Sequence, residues 1–162
     1  MTQNNITRLL DLRHIPYHLY EFPAQKYSAI EVARILQVDP QTVYKTIVVM
    51  RHAKSRPILA VIPGPLEVDL KALAKATGEK KVCLPTEKDA EKLTGLQAGG
   101  ISPLALLNKG FQVILDTSVQ VHSEIIISGG QRGLNIRMPV SALIDLTQAR
   151  IAPIAREPDD SY

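Results

Sequence analysis

Two runs of apolar, mostly β-branched residues, KTIVVMR (Lys45 to Arg51) and ILAVIP (Ile58 to Pro63), are separated by only six residues, HAKSRP. A parallel pair of strands needs a crossover of roughly a dozen residues or more, so this polar link permits only an antiparallel hairpin. A second short link, GGQRG, joins EIIIS (Glu124 to Ser128) to LNIRM (Leu134 to Met138), and FQVILD (Phe111 to Asp116) supplies another apolar strand. With two connections hairpin-like, an all-parallel sheet is excluded.

Helices lie between these strands. Asn4 or Asn5 can cap a first helix running to Leu12, with Ile6, Leu9 and Leu10 on one face. After Pro16, YHLYEF (Tyr17 to Phe22) alternates as a strand does. Ser28 with Glu31 forms a capping box ahead of Ala29, Val32, Ala33 and Leu36, the i, i+3, i+4, i+7 stripe of an amphipathic helix. Asp39 and Pro40 open one further turn. Asp69 caps a helix through Ala76 that Gly78 stops, KKVCLP reads as a short strand, and Thr86 with Asp89 caps a helix ended by Gly95. Ser141 is placed to cap a last helix, ALIDLTQ. The predicted architecture is mixed α/β (α+β): a largely antiparallel mixed sheet or open barrel with flanking helices, in one domain over residues 1–155, followed by a polar tail at 156–162.

Several function classes drop out. Lys+Arg 19 against Asp+Glu 16 leaves a net charge of +3, which permits a polyanionic partner without demanding one. No apolar run approaches the roughly 20 residues of a membrane helix, and MTQNNITRLL lacks a signal-peptide plan, so a soluble, cytoplasmic protein without a membrane partner is expected. Cys83 is the one cysteine; with no His or Asn signature near it, it reads as a buried structural thiol rather than a nucleophile. His14 and His18 have zinc-pair spacing, but Pro16 between them breaks the helix that would align them, so no metal is expected. His52 and His122 read as solvated loop residues. Glu67 and Asp69 make a weak acid/base pair, because Asp69 already serves as a cap. No phosphate-binding GKS or GKT follows a glycine run, and Ser128 lacks the G-x-S-x-G frame of a hydrolase.

Three features remain. Lys45 opens an otherwise apolar strand. GGISP (Gly99 to Pro103) sets free backbone groups and a hydroxyl beside a rigid kink. SGGQRG (Ser128 to Gly133) uses three glycines in five residues, and consecutive glycine N–H groups can form a nest for an anion or carbonyl oxygen, although a tight hairpin accounts for them equally.

TVYKTIVV, GGISPLA and SGGQRGLNI, in this order and spacing, resemble the YbaK/ProX family of aminoacyl-tRNA trans-editing domains, nearest to those that deacylate Cys-tRNA(Pro). The likeness runs from the first helix to the last. It implies a pocket for the 3′ end of proline tRNA and its aminoacyl ester, with no cofactor. Lys45 matches the family's key lysine and is the catalytic candidate, with Thr46 beside it. Gly99 and Pro103 match the ends of a GxxxP loop enclosing Gly100, Ile101 and Ser102. Ser128, Gly129 and Gly130 match its SGG motif, and Tyr20 matches a pocket tyrosine. The main-chain N–H groups of both loops would then grip the ribose and the ester carbonyl. The family's pattern of an aromatic followed by glycine near the second helix is replaced by Ser28 and Ala29, with Tyr27 one residue out of register. Asn135 replaces an aspartate and Ala105 a glycine, departures that bear on amino-acid specificity more than on the fold.

An activated ester needs positioning and oxyanion donors more than a protein nucleophile, which fits the missing triad. Arg51, Lys54 and Arg56 at a hairpin tip, and Lys71 with Lys75 on a helix, offer modest RNA contacts, so tRNA selection would call for prolyl-tRNA synthetase as a partner. The competing readings are a deacylase for another residue, such as Ala-tRNA(Pro), and a non-catalytic module that binds RNA ends or nucleotides.

Overall fold

The structure, a computed structural model, describes residues 3–52 and 55–159. Asn4 caps α1 (Asn5–Leu12), its side chain accepting from the Thr7 N–H while the Thr7 hydroxyl closes the box. β1 (His18–Glu21) follows, then α2 (Ala29–Leu36) behind the Ser28–Glu31 capping box, and a 3-10 turn at Pro40–Thr42 capped by Asp39. β2 (Tyr44–Arg51) and β3 (Ile58–Pro63) form the hairpin, with Lys45 opposite Ile62 and Thr46 opposite Val61. β4 (Glu67–Val68) leads into α3 (Leu70–Thr77), capped by Asp69 and ended by Gly78 in the left-handed region at φ 74°. β5 (Val82–Cys83) and α4 (Glu87–Thr94), capped by Thr86, complete the first half.

β6 (Gln112–Asp116) opens the second half, followed by β7 (Glu124–Ser128) and β8 (Leu134–Pro139). α5 (Val140–Thr147), β9 (Arg150–Ala152) and β10 (Ala155–Arg156) end the described chain. The strands make a five-stranded sheet in the order β5-β2-β3-β6-β9, a three-stranded antiparallel sheet β1-β8-β7, and the pair β10-β4. β3–β6 and β6–β9 are parallel, so the larger sheet is mixed. The sheets are not closed into a barrel. The fold is mixed α+β.

β3 is central and buried at every position. Its alternation sends Leu59 and Val61 to the main core, shared with α1 and α5, and Ile58, Ala60 and Ile62 to a second core under α3. A third, smaller core holds α2 through Val32 and Ala33 against Val43 and Ile126. Asp116 ties the far end together. Its nearly buried carboxylate accepts N–H bonds from Ser118, Ile154 and Ala155 at 3.0–3.1 Å, which anchors β10.

Four local expectations change. Ser141 does not cap α5: β8 runs directly into the helix through Pro139, and the Val140 N–H is taken by the Ser123 carbonyl. Cys83 is exposed rather than buried, because in a two-residue edge strand one side chain faces inward, here Val82, and the next faces water. Arg156, placed in the polar tail by its sequence, pairs with Glu67 in β10. His122 is not a solvated loop residue: it is half-buried with its ring edge-on to Tyr44 at 6.1 Å. Lys54 and residues 160–162 lie outside the described residues.

Candidate active site

The larger and the three-stranded sheets meet where Val43, just before β2, bridges Ile126 of β7 in parallel. Side chains two residues apart on a strand share a face, so Lys45 and Ser128 leave this junction on the same side. Across β7–β8, Ser128 stands opposite Asn135, which in turn stands opposite Tyr20 of β1. Lys45, Thr46, Ser128 and Asn135 line a cleft of about 450 Å³. Tyr27, Ser28 and Ala29 form one wall, Gly99 and Ile101 another, and Leu84 to Glu87 at the start of α4 the mouth.

Lys45 is half-buried and, among the described residues, makes no hydrogen bond or ion pair. Burial pushes its pKa below the ordinary lysine range, with the negative charge of Glu67 working partly against that. Asn135 is only 8% exposed, and its side chain has no protein partner among the described residues. The Ser128 hydroxyl oxygen accepts the Gly130 N–H at 3.2 Å, leaving its own proton free to donate. The cleft therefore presents an unpaired ammonium beside a hydroxyl and a carboxamide. Among the described residues, no histidine or cysteine lines it.

Both glycine loops carry packing within the fold. Gly129 N–H donates to the Leu134 carbonyl at 2.8 Å and Gly130 N–H to Ser128, so both main-chain donors of the expected nest are already used. A Cβ on Gly130 would stand 2.8 Å from Ile6 of α1, and one on Gly133 would stand 2.5 Å from the Phe22 carbonyl oxygen. Gly100 presses on the backbone of Gln131 and Arg132 in the same way, its N–H held by the Gln97 carbonyl, while the Arg132 guanidinium donates to the Ala98 carbonyl at 2.7 Å. The two motifs are packed against each other. Gly99 and Ile101 reach the cleft, whereas Gly100, Gly129 and Gly130 serve this packing. Ser102 is fully buried with its Oγ accepting the Leu104 N–H, and Pro103 opens a buried 3-10 turn.

Tyr20 shares a sheet face with Asn135 but sits under α2, with its ring against His18 and the Arg137 guanidinium, and does not line the cleft. His14 lies beyond α1 and His18 in β1, on separate elements. The anticipated basic tip is largely committed: Arg51 pairs with Glu79 at 2.9 Å and Arg56 lies over the Phe111 ring.

Sequence reasoning missed Tyr44, Gly64 and the Leu84–Glu87 mouth. Tyr44 borders the cleft beside Lys45, and its side chain is buried in the main core with its hydroxyl 2.7 Å from Ser118 Oγ. Burial raises its pKa, the Ser118 hydrogen bond acts in the opposite direction, and the Asp116 charge raises it further. Gly64 has the one legible signal, a glycine between two prolines. Its Cα abuts Ala29, where a Cβ would meet the alanine methyl at 2.8 Å.

The overall architecture matches solved structures that share little sequence. One, of a hypothetical protein, superposes with a TM-score of 0.85 at 21% identity, covering 94% of this chain and 100% of the other. Another, described as a trans-editing enzyme for prolyl-tRNA synthetase, gives 0.78 at 22% identity over 96% of this chain and 99% of the other. Residues 23–146 match the aminoacyl-tRNA editing domain family, and the chain belongs to that family. A relative from Enterococcus faecalis, EbsC, named as a Cys-tRNA(Pro)/Cys-tRNA(Cys) deacylase, is 39% identical over 154 residues, 94% of this chain and 93% of its own.

Proposed function

We propose that the chain hydrolyses the ester of mischarged Cys-tRNA(Pro), acting in the cytoplasm. The observation that carries this reading is Lys45, a half-buried ammonium without a partner at the base of a cleft that also offers Ser128 and Asn135. A half-buried cation that the charge of Glu67 only partly compensates costs stability unless a ligand satisfies it, so its persistence favours a role toward an anion or a developing oxyanion. Lys45, Ser128 and Asn135 would orient the ester and receive the charge that grows on its carbonyl oxygen. Thr46, Gly99 and Ile101 would bound the terminal ribose.

Among the described residues, no cysteine lines the cleft and no histidine is there to activate the Ser128 hydroxyl, and cysteinyl ester carries its own nucleophile. Its sulfur, as thiolate, attacks its carbonyl carbon; the ribose oxygen leaves and takes up a proton, and water then opens the thioester ring. The proposal extends to prolyl-tRNA synthetase as the partner that selects the tRNA, because the net charge is only +3 and Arg51, Arg132 and Arg156 are paired within the fold. The test is a deacylation panel of proline tRNA charged with cysteine, alanine, serine or proline. Cysteinyl ester should be cleaved fastest, well beyond the roughly 10–200-fold that shape alone can discriminate. Equal rates on cysteinyl and alanyl esters would remove the substrate-assisted route, since alanine has no side-chain nucleophile, and a charged tRNA left intact would leave only a binding module.

A further inference from the structure

Among the described residues, the acidic and basic side chains that line the cleft are two, half-buried Lys45 and the exposed Glu87 at its mouth. Glu87 is the first residue of α4, and its carboxylate is held by the ammonium of Lys26. Lys26 comes from the loop before α2 and does not itself line the cleft. Its stem lies along Gly99, where a Cβ would come within 3.3 Å of Lys26 Cα and Cγ. Both side chains of the pair are more than half exposed, at 52% and 58%, so the pair is screened and readily exchanged. The one carboxylate of the cleft thus already holds an ammonium, supplied by the chain.

An aminoacyl ester brings an ammonium of its own, on the carbon next to the reacting carbonyl. We propose that Glu87 receives this α-ammonium, displacing Lys26, so that the cleft accepts esters with a free α-amine and discriminates against N-acylated ones. The inference rests on the deacylase reading above. Trading one ammonium for another on the same carboxylate leaves the number of ion pairs at Glu87 unchanged, so displacement is cheap. Repulsion from Lys45 directs the substrate ammonium away from the interior, which turns the ester carbonyl toward Lys45 and Ser128. An N-acyl group has no charge to offer Glu87 and gains nothing from the exchange.

The experiment compares proline tRNA carrying cysteine with proline tRNA carrying N-acetylcysteine, using the full chain, Glu87→Gln and Lys26→Met. The wild type should prefer the free amine by roughly tenfold. Glu87→Gln should lower kcat/KM for that ester about fivefold through KM, and leave the N-acetyl ester unchanged. Lys26→Met should raise kcat/KM for the free-amine ester, since the competing ammonium is gone. A Glu87→Gln enzyme that keeps the wild-type ratio of the two esters overturns the proposal while leaving deacylation intact. If Glu87→Gln does not fold, an unchanged ratio in Lys26→Met does the same. Failure of the wild type to cleave either ester overturns the deacylase reading, and this inference with it.

Discussion

Lys45 places an ammonium in a half-buried position without a hydrogen bond or ion pair among the described residues and with only the charge of Glu67 in its favour, so its contributions to function and to stability should oppose each other. Lys45→Met should lower deacylation by about ten- to hundredfold, the worth of one charge-assisted contact. The same change should raise the melting temperature at neutral pH. The lysine's pKa in the fold lies below its unfolded value, so between the two the unfolded chain holds more protons and stability increases with pH. Below the folded pKa the charged lysine is a standing cost. The stability gap between variant and wild type should therefore close as pH rises toward the ordinary lysine value, and thermal scans across pH would show whether it does. Activity should first rise as the substrate thiol ionises near about 8.5, then fall as Lys45 loses its proton below the usual lysine range. In Lys45→Arg that alkaline fall should vanish, because arginine stays charged. Cys83 makes the contrasting case. It is exposed and does not line the cleft, so Cys83→Ser should alter stability by less than about 0.5 kcal/mol and keep full activity. A loss of activity in the folded variant would restore the thiol as a nucleophile.

At the scale of elements, the β7–β8 hairpin shows why glycine-rich stretches are ambiguous. Three glycines in SGGQRG announce close backbone approach, and what approaches is α1, Leu134 and the Phe22 and Pro23 carbonyls. Gly133 combines φ 82° with a Cβ position 2.5 Å from a main-chain oxygen that cannot rotate away, whereas Gly78 at φ 74° faces open space. Gly78→Ala should cost about 1–2 kcal/mol, the left-handed penalty alone. Gly133→Ala should cost about 3 kcal/mol or more, since the backbone must also move. Chemical denaturation of the two variants separates the contributions, and equal losses would mean that the hairpin yields easily. The sequence registered the demand for glycine here but not its object, because strain is local while the partners Ile6, Phe22 and Pro23 lie more than a hundred residues away.

For the molecule as a whole, the active-site end and the Asp116 end are held by different contacts. Asp116→Ala strands three N–H groups and should destabilise the fold by about 2–3 kcal/mol, with deacylation per folded molecule unchanged. A matching fall in kcat would mean that the β10 anchor also shapes the cleft, through β4 and Glu67, whose charge acts on Lys45. The chain by itself determined a great deal: both hairpins, the caps of α1 to α4, the mixed α+β class, and Lys45 as the outlier in an apolar strand. These follow from short-range physics, in which capping, periodicity and loop length act over a few residues. Tertiary structure alone decided the rest. It laid β6 parallel to β3 and β9 parallel to β6, exposed Cys83, used the Gly100, Gly129 and Gly130 amides in internal bonds, moved Tyr20 under α2, and brought Asn135 and Glu87 to the same cleft as the lysine. Each of those outcomes depends on which distant surfaces are buried together, and burial is settled only when the whole chain packs.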